Sequence, residues 1–170
     1  FPNAGISITE LVIAKREPFE GDTLAQIAKF EASVNLRKLI FGREVEILSL
    51  SVVKPRILAR VLEDGRANYM IFPEADTTQP AQADTAAAMD MAIKKYKISD
   101  GYLVYINDST NMALQVTGLN HEGRGDFKQA VFTLATKTDI DDIDFRMKGV
   151  PYLSDARLDM KADLKVDTRE

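Results

Sequence analysis

The sequence predicts a mostly-β fold, α+β with a minor helix, built on a long twisted antiparallel sheet that forms an open groove or half-barrel. Residues 156–167, ARLDMKADLKVD, alternate apolar and charged side chains at every position. A period of two over this length describes a strand of roughly 40 Å, whereas globular strands usually have about 5–6 residues. Similar alternation recurs along the chain, and only one short segment has helical character.

The first half of the chain contains strands and the one clear helix. The predicted strands are 6–14, 26–35, 44–53, 55–64 and 68–72. A tight joint at Lys54-Pro55 and a turn at Glu63-Asp64-Gly65 separate the later ones. The stretch NLRKLIFG predicts a short helix near 35–41, with Asn35 as its N-cap and Gly42 as its stop.

The second half is predicted to be entirely strand and turn. Its predicted strands are 93–99, 101–107, 110–121, 127–138, 140–148 and 155–167. Turns at Asp108-Ser109, Gly123-Arg124-Gly125 and Asp141-Asp142 would make consecutive strands neighbours. A meandering antiparallel sheet is therefore the simplest topology.

Composition divides the chain into three segments. Residues 1–72 form a first β segment with the short helix, 73–92 a flexible linker, and 93–170 a second β segment of the same extended sheet. The linker is rich in Ala, Thr, Asp and Pro and has no periodicity. A helix over 84–95, capped by Asp84, is the alternative. Because the chain starts abruptly at FPN and its best strand runs almost to the end, we expect a piece truncated from a longer protein.

The bulk composition argues against several classes of function. The 170 residues carry a formal charge of −4 with no basic cluster, so we expect no nucleic-acid partner. The absence of cysteine removes thiol catalysis and Cys-ligated zinc. No apolar run approaches the roughly 20 residues that a membrane-spanning helix needs.

No motif predicts catalysis or metal binding. His121 is the only histidine, and at the predicted end of a strand it is expected to be a surface residue. The acidic cluster of Asp139, Asp141, Asp142 and Asp144 lacks the glycine and terminal glutamate of a calcium loop, so it predicts a solvated turn. We therefore predict a non-enzymatic protein with no catalytic residues, no metal and no cofactor.

A sheet with one apolar face must bury that face against something. One short helix cannot cover four or more long strands. Either the sheet folds on itself as a sandwich or barrel, or its apolar face remains open as a groove for an apolar ligand. Both possibilities stay open at this point, although strands of this length are unusual in sandwiches.

Several segments of the chain have distinctive wording. They are EPFEGDTLAQI (17–27), KPRILARVLEDGRANY (54–69), KISDGYLVYIND (97–108), LQVTGLNHEGRGDFKQAVFTLATKTDI (114–140) and GVPYLSDARLDMKADLKVD (149–167). Together they cover nearly the whole chain, and DGRANY and the stretch from Gly118 to Lys165 are the most specific. In these segments the chain resembles the N-terminal periplasmic region of the AsmA family of bacterial envelope proteins.

The resemblance implies a β-groove, similar to TamB-like and other lipid-transfer proteins, in a periplasmic domain of an inner-membrane-anchored protein. It implies phospholipid acyl chains as partners, a role in lipid transport and outer-membrane biogenesis, and membrane contact through an anchor absent from this chain. The expected groove-lining residues are Leu114, Val116, Phe132, Leu134, Phe145, Met147, Leu158, Met160, Leu164 and Val166. The alternative is an assembly factor for outer-membrane proteins, with a self-filled core and strand edges that bind envelope proteins by β-augmentation.

Overall fold

The computed structural model describes residues 3–14, 19, 23–41, 46–70, 92–167 and 169. These residues form long strands and one short helix. In chain order the elements are β1 (Asn3–Ala14), β2 (Thr23–Asn35), α1 (Leu36–Phe41), β3 (Glu46–Val61), β4 (Ala92–Ile93), β5 (Lys95–Asn107), β6 (Met112–Arg124), β7 (Val131–Met147) and β8 (Val150–Asp167). Apart from β4, the strands have 12 to 18 residues, about two to three times the usual length.

All these strands belong to one open sheet. The order across it is β1, β2, β3, β5, β6, β7, β8, and the short β4 pairs with the start of β3. The sheet is not closed into a barrel, so β1 and β8 form its edges. Within the described residues, no second layer of strands stacks on it. The predicted mostly-β fold with an open sheet and minor helix is confirmed.

The helix α1 begins where the sequence predicts. The backbone N–H of Lys38 donates a hydrogen bond to Asn35 Oδ1 at 3.3 Å, which is the bond expected of an N-cap residue. The helix has 6 residues and contacts only β1 and β2 to any extent. It therefore leaves the rest of the sheet uncovered.

A row of backbone kinks crosses the sheet from one edge to the other. Five residues in five different strands have φ between 51° and 68°, and they are Glu10, Lys54, Asp100, Gly118 and Asp155. The pairing register aligns them: Lys54 and Asp100, for example, both follow the paired residues Val53 and Ser99. A left-handed residue changes the local direction of a strand, and where the pairing register also shifts, as between β5 and β6 and between β7 and β8, it belongs to a β-bulge that bends and twists the strand. We call this line of left-handed residues the kink row.

Each long strand crosses the kink row with a three-residue step between apolar positions. In β1 the step runs from Ile8, which pairs with Phe30, to Leu11, which pairs with Ile27. In β7 the equivalent step runs from residue 140 to residue 143. In a regular strand, two residues that are three positions apart face opposite sides of the sheet. The kink cancels this change, so the apolar side chains before and after it lie on the same side.

Three predicted strand breaks are wrong because the sequence period fails at these kinks. The predicted pairs 44–53 with 55–64, 93–99 with 101–107, and 127–138 with 140–148 are each a single strand, namely β3, β5 and β7. The predicted joint at Lys54-Pro55 lies in the kink row within β3, and the predicted turn at Asp141-Asp142 lies at a register shift within β7. The turn at Asp108-Ser109 is confirmed, whereas Gly123 and Arg124 lie within β6 and the chain reverses after them.

β3 departs from the predicted antiparallel meander, because both β4 and β5 pair with it in parallel. Its pairing with β5 runs from the pair Leu50–Tyr96 to the pair Val61–Asn107. Parallel neighbours need a connection that returns the chain to the starting end, and residues 62–94 provide it. Most of the predicted linker 73–92 and of the alternative helix 84–95 lies outside the described residues, although Ala92–Ile93 is strand.

The side chain of Asn68 completes the edge of β3 beyond its last pair with β2. Asn68 Nδ2 donates to the Leu58 carbonyl at 2.7 Å, and its Oδ1 accepts from the Arg60 N–H at 2.9 Å. Asn68 is 5% exposed and sits in a turn, so the strand predicted from residue 68 does not form there. The predicted turn at 63–65 is confirmed and directs Asn68 back against β3.

We expect Asn68→Ala to lower the free energy of unfolding by about 1–3 kcal/mol, because it removes a buried side chain and leaves the half-buried Leu58 carbonyl and Arg60 N–H without these partners. Asn68→Asp retains the acceptor for Arg60 but loses the donor to Leu58, so it should also destabilise the fold. Urea unfolding followed by circular dichroism measures both effects. A fully stable Asn68→Ala variant would contradict this account.

Glu46, at the start of β3, is the buried end of a small ionic cluster. Its carboxylate accepts a hydrogen bond from Asn35 Nδ2 at 2.8 Å and lies 3.3 Å from Lys38 Nζ and 3.4 Å from Lys94 Nζ. Burial raises the pKa of Glu46, but the bonds from Asn35 and the two lysines outweigh it and lower the pKa overall. The cluster therefore contributes stability above the ordinary carboxyl pKa that is lost as the pH falls through the lowered value.

Candidate functional site

The ten residues predicted to line a groove all lie on one side of the sheet, which we call the apolar face. Directly paired residues project to the same side of a sheet. Leu114 pairs with Phe145, Leu134 with Leu164, and residues 132 and 166 pair likewise. The full set is Leu114, Val116, Phe132, Leu134, Phe145, Met147, Leu158, Met160, Leu164 and Val166.

The apolar face extends well beyond that set, across β5, β3, β2 and β1. Sequence reasoning placed the groove only in the C-terminal half and missed these strands. The additional large apolar residues are Ile6, Ile8, Leu11, Ile13, Ile27, Phe30, Leu50, Val52, Ile57, Ile98 and Leu103. Their two-residue alternation on each side of a three-residue step is the signal that would have identified them.

Much of the apolar face is open among the described residues. Met160 is 44% exposed and Leu164 is 50% exposed near one edge, while Ile6 and Ile8 are 53% and 41% exposed near the other. Each long strand makes extensive contacts only with its hydrogen-bonded neighbours. Large apolar side chains thus lie on both margins of a single-layer sheet with nothing described above them.

Burial on the apolar face increases away from its margins. Val116 and Phe132 are each 7% exposed. The ring of Phe132 packs against that of Phe127, with centroids 4.7 Å apart, and covers Gly125. A methyl group on Gly125 would approach this ring to 3.0 Å, so the glycine leaves room for the Phe132 ring.

The opposite face of the sheet carries the charges. In β7 and β8, Lys137 pairs directly with Lys161, and Asp139 pairs directly with Asp159. Like charges directly opposite one another are unfavourable, but opposite charges on the diagonals offset them, and exposed pairs are screened by water. This arrangement is typical of a solvated surface and gives the sheet two chemically distinct sides.

The acidic cluster of β7 is not the solvated turn that the sequence predicts. Asp142 pairs with Thr117 inside the sheet, next to the kink row. Burial, with the nearby charges of Asp144 and Asp155, raises the pKa of Asp142, and its Oδ1 atom has no hydrogen-bond partner among the described residues. No group of three potential metal-ligating side chains occurs in that described part either.

A polar cluster interrupts the apolar face and includes the one histidine. His121 lies inside β6, not at a strand end, and it is half-buried instead of being a free surface residue. Its Nε2 lies 3.0 Å from the Tyr96 hydroxyl, and its Nδ1 lies 2.8 Å from Thr138 Oγ1. His121 pairs with Thr138 on one side and with Ile98 on the other, which places the cluster on the apolar face.

No helix in the described ranges combines the length and the apolar character needed to cross a membrane. Comparison with protein-family models, with curated proteins and with solved structures finds no match for this chain.

Proposed function

We propose that this chain is a non-enzymatic lipid-binding module whose apolar face holds phospholipid acyl chains. The observation that carries the proposal is the apolar face, which crosses all seven long strands, contains one polar cluster and is open at both margins. An exposed apolar surface of this extent marks a binding site in most proteins. Acyl chains need such a dry, continuous surface.

The dimensions and energies fit that ligand. At about 3.3 Å per residue, the 18 residues of β8 extend roughly 60 Å. The hydrocarbon layer of a bilayer is about 30 Å thick, and one acyl chain spans about half of that thickness. The strand is therefore longer than one acyl chain. Each methylene removed from water contributes about 0.8 kcal/mol, so covering even part of one chain retains a lipid.

The sequence resemblance supports a cellular role for such a module. We propose, on the resemblance of 54–69, 97–108 and 114–167 to the AsmA family, that the chain is the periplasmic part of an inner-membrane-anchored protein. Its role would be phospholipid transport toward the outer membrane and outer-membrane biogenesis.

The second candidate is a protein-assembly factor that binds other envelope proteins through its strand edges. One observation favours it: β8, with 18 residues, is an edge strand with no partner on its outer side among the described residues. Such an edge is a template for β-augmentation. The open apolar face gives this candidate less support, because a self-filled core would cover it.

Photo-crosslinking tests the lipid proposal. A photoreactive amino acid replaces Met160 on the apolar face, or Lys161 on the charged face, and the purified chain is illuminated with vesicles of labelled phospholipid. We expect lipid adducts at position 160 and few at position 161, because neighbouring strand residues face opposite sides. Equal labelling at both positions, or none at either, would contradict the proposal.

A further inference from the structure

The polar cluster of Tyr96, His121 and Thr138 lies where three neighbouring strands place hydrogen-bonding groups on the apolar face. Tyr96 of β5 leans over Gly123 of β6, which lacks a side chain, and its ring lies 5.4 Å from that of His121. Thr138 of β7 is 8% exposed, whereas Tyr96 is only half-buried. The cluster therefore has one buried end and one accessible end.

With a neutral imidazole at His121, the cluster has one spare proton donor. A neutral imidazole has one N–H, and each hydroxyl has one O–H. The two internal hydrogen bonds use two of these three protons. If His121 donates from Nδ1 to Thr138, Tyr96 donates to Nε2 and the Thr138 proton is unused. In the other tautomer Thr138 donates to Nδ1, Nε2 donates to Tyr96, and the Tyr96 proton is free at the accessible end.

A spare donor has a consequence once lipid covers the face. In the uncovered sheet, water can accept the proton. When acyl chains exclude water, an unpaired hydroxyl becomes unfavourable unless the ligand itself supplies an acceptor. The other polar groups differ: the Thr136 hydroxyl already donates to the Ala162 carbonyl at 3.0 Å, and the contact between Asn107 and Tyr105 lies toward the end of β5.

We propose that the Tyr96–His121–Thr138 cluster donates a hydrogen bond to the ester carbonyl oxygen of a bound acyl lipid. This inference rests on the proposed lipid-binding function, and it specifies where on the sheet the ester end of the bound lipid lies. A carbonyl suits the site better than a phosphate, because the nearest strand lysines, Lys97 and Lys137, alternate to the opposite face. An anion placed on the apolar face would lack a counter-charge.

Paired lipids test this inference. The probes are a dipalmitoyl phosphatidylglycerol and its dihexadecyl ether analogue, which keeps the phosphate and chains but lacks the carbonyls. We expect the wild-type chain to bind the diester roughly 2- to 12-fold more tightly, the range that one net hydrogen bond provides. The triple variant Tyr96→Phe, His121→Leu and Thr138→Val removes every proton donor of the cluster, so it should lose the preference for the diester.

The control is Tyr102→Phe, which removes a tyrosine hydroxyl from the same strand on the opposite face. It should keep the preference for the diester. If the triple variant binds both lipids more weakly by the same factor, the cluster contacts the phosphate or has a structural role. If its preference for the diester is unchanged, the carbonyl lies elsewhere. Either result overturns the inference while the wild-type chain still binds lipid, whereas a wild-type chain that binds neither lipid overturns the proposed function as well.

A measurement on the unmodified chain guards against a variant that folds poorly. Infrared spectra of bound lipid with ¹³C-labelled ester carbonyls report hydrogen bonding at that atom directly. We expect a low-frequency, hydrogen-bonded carbonyl band in the complex. A band at the frequency of a dry, unbonded ester would overturn the inference without any substitution.

Discussion

Replacing Gly118 by alanine is expected to lower the free energy of unfolding by about 2–5 kcal/mol. Gly118 has φ of 68° and lies in the kink row, so a side chain there takes on backbone strain of about 1–2 kcal/mol. The new Cβ would also collide with the side chain of Asp141, and overpacking of this kind costs about 1–3 kcal/mol. Urea unfolding followed by circular dichroism measures the change.

Gly149 provides the matched control for this prediction. Its φ is 77°, but an added Cβ there has no atom within 4 Å. Gly149→Ala should therefore show the backbone strain alone, about 1–2 kcal/mol. In an Asp141→Gly background the cost of Gly118→Ala should fall to the same value, because the colliding side chain is gone. If Gly118→Ala and Gly149→Ala lowered the free energy of unfolding by the same amount, Gly118 would not be packed against Asp141 as described.

The kink row explains what sequence reasoning could and could not predict about the strands. Periodicity identified β1, β2 and β8 well, because the pattern of two is unbroken over most of each. It split β3, β5 and β7 at the row, because a three-residue step looks the same as a turn when only one strand is considered. The signal appears when several strands are compared, since the step from Ile140 to Ile143 in β7 has an equivalent in every long strand.

The parallel pairing of β3 and β5 could not be predicted from periodicity. Alternation within a strand carries no information on the direction of its neighbour, and the turn signals on either side of residues 62–94 favoured a simple meander. The role of Asn68 depends on this arrangement, because its side chain acts where β2 ends and β3 continues. A single asparagine in a turn offers no sequence signal for such a contact.

The candidate site was predicted in part. The ten C-terminal residues share one face because the period of two is strict over residues 156–167 of β8 and in most of β7, and a strict period fixes the facing of each side chain. The polar cluster was missed because Tyr96, His121 and Thr138 are far apart in sequence and meet only through strand pairing. The sequence also predicts that this strand ends at residue 121, and a histidine at a strand end is usually a surface residue.

Met160→Asp is expected to reduce the affinity of the chain for phospholipid on the order of 100-fold. A carboxylate among acyl chains costs about 2.5–3.5 kcal/mol, and each 1.4 kcal/mol corresponds to a factor of ten. The fold should survive, because Met160 lies on the edge strand β8 and is 44% exposed, so stability should change by no more than about 1 kcal/mol. Titration with a fluorescent phospholipid measures the affinity, and thermal unfolding measures the stability.

Thr133→Asp separates a local effect on the apolar face from a general effect of negative charge. Thr133 is exposed on the charged face and pairs with Lys165, so this variant adds the same charge on the other side of the sheet. Lipid affinity should stay within about twofold of wild type, because an exposed charge on that side is screened and never meets an acyl chain. Equal losses in both variants would indicate charge repulsion from the lipid surface, and unfolding of Met160→Asp would show that Met160 is covered by protein. Only the face-specific loss fits a sheet that binds lipid along its apolar side.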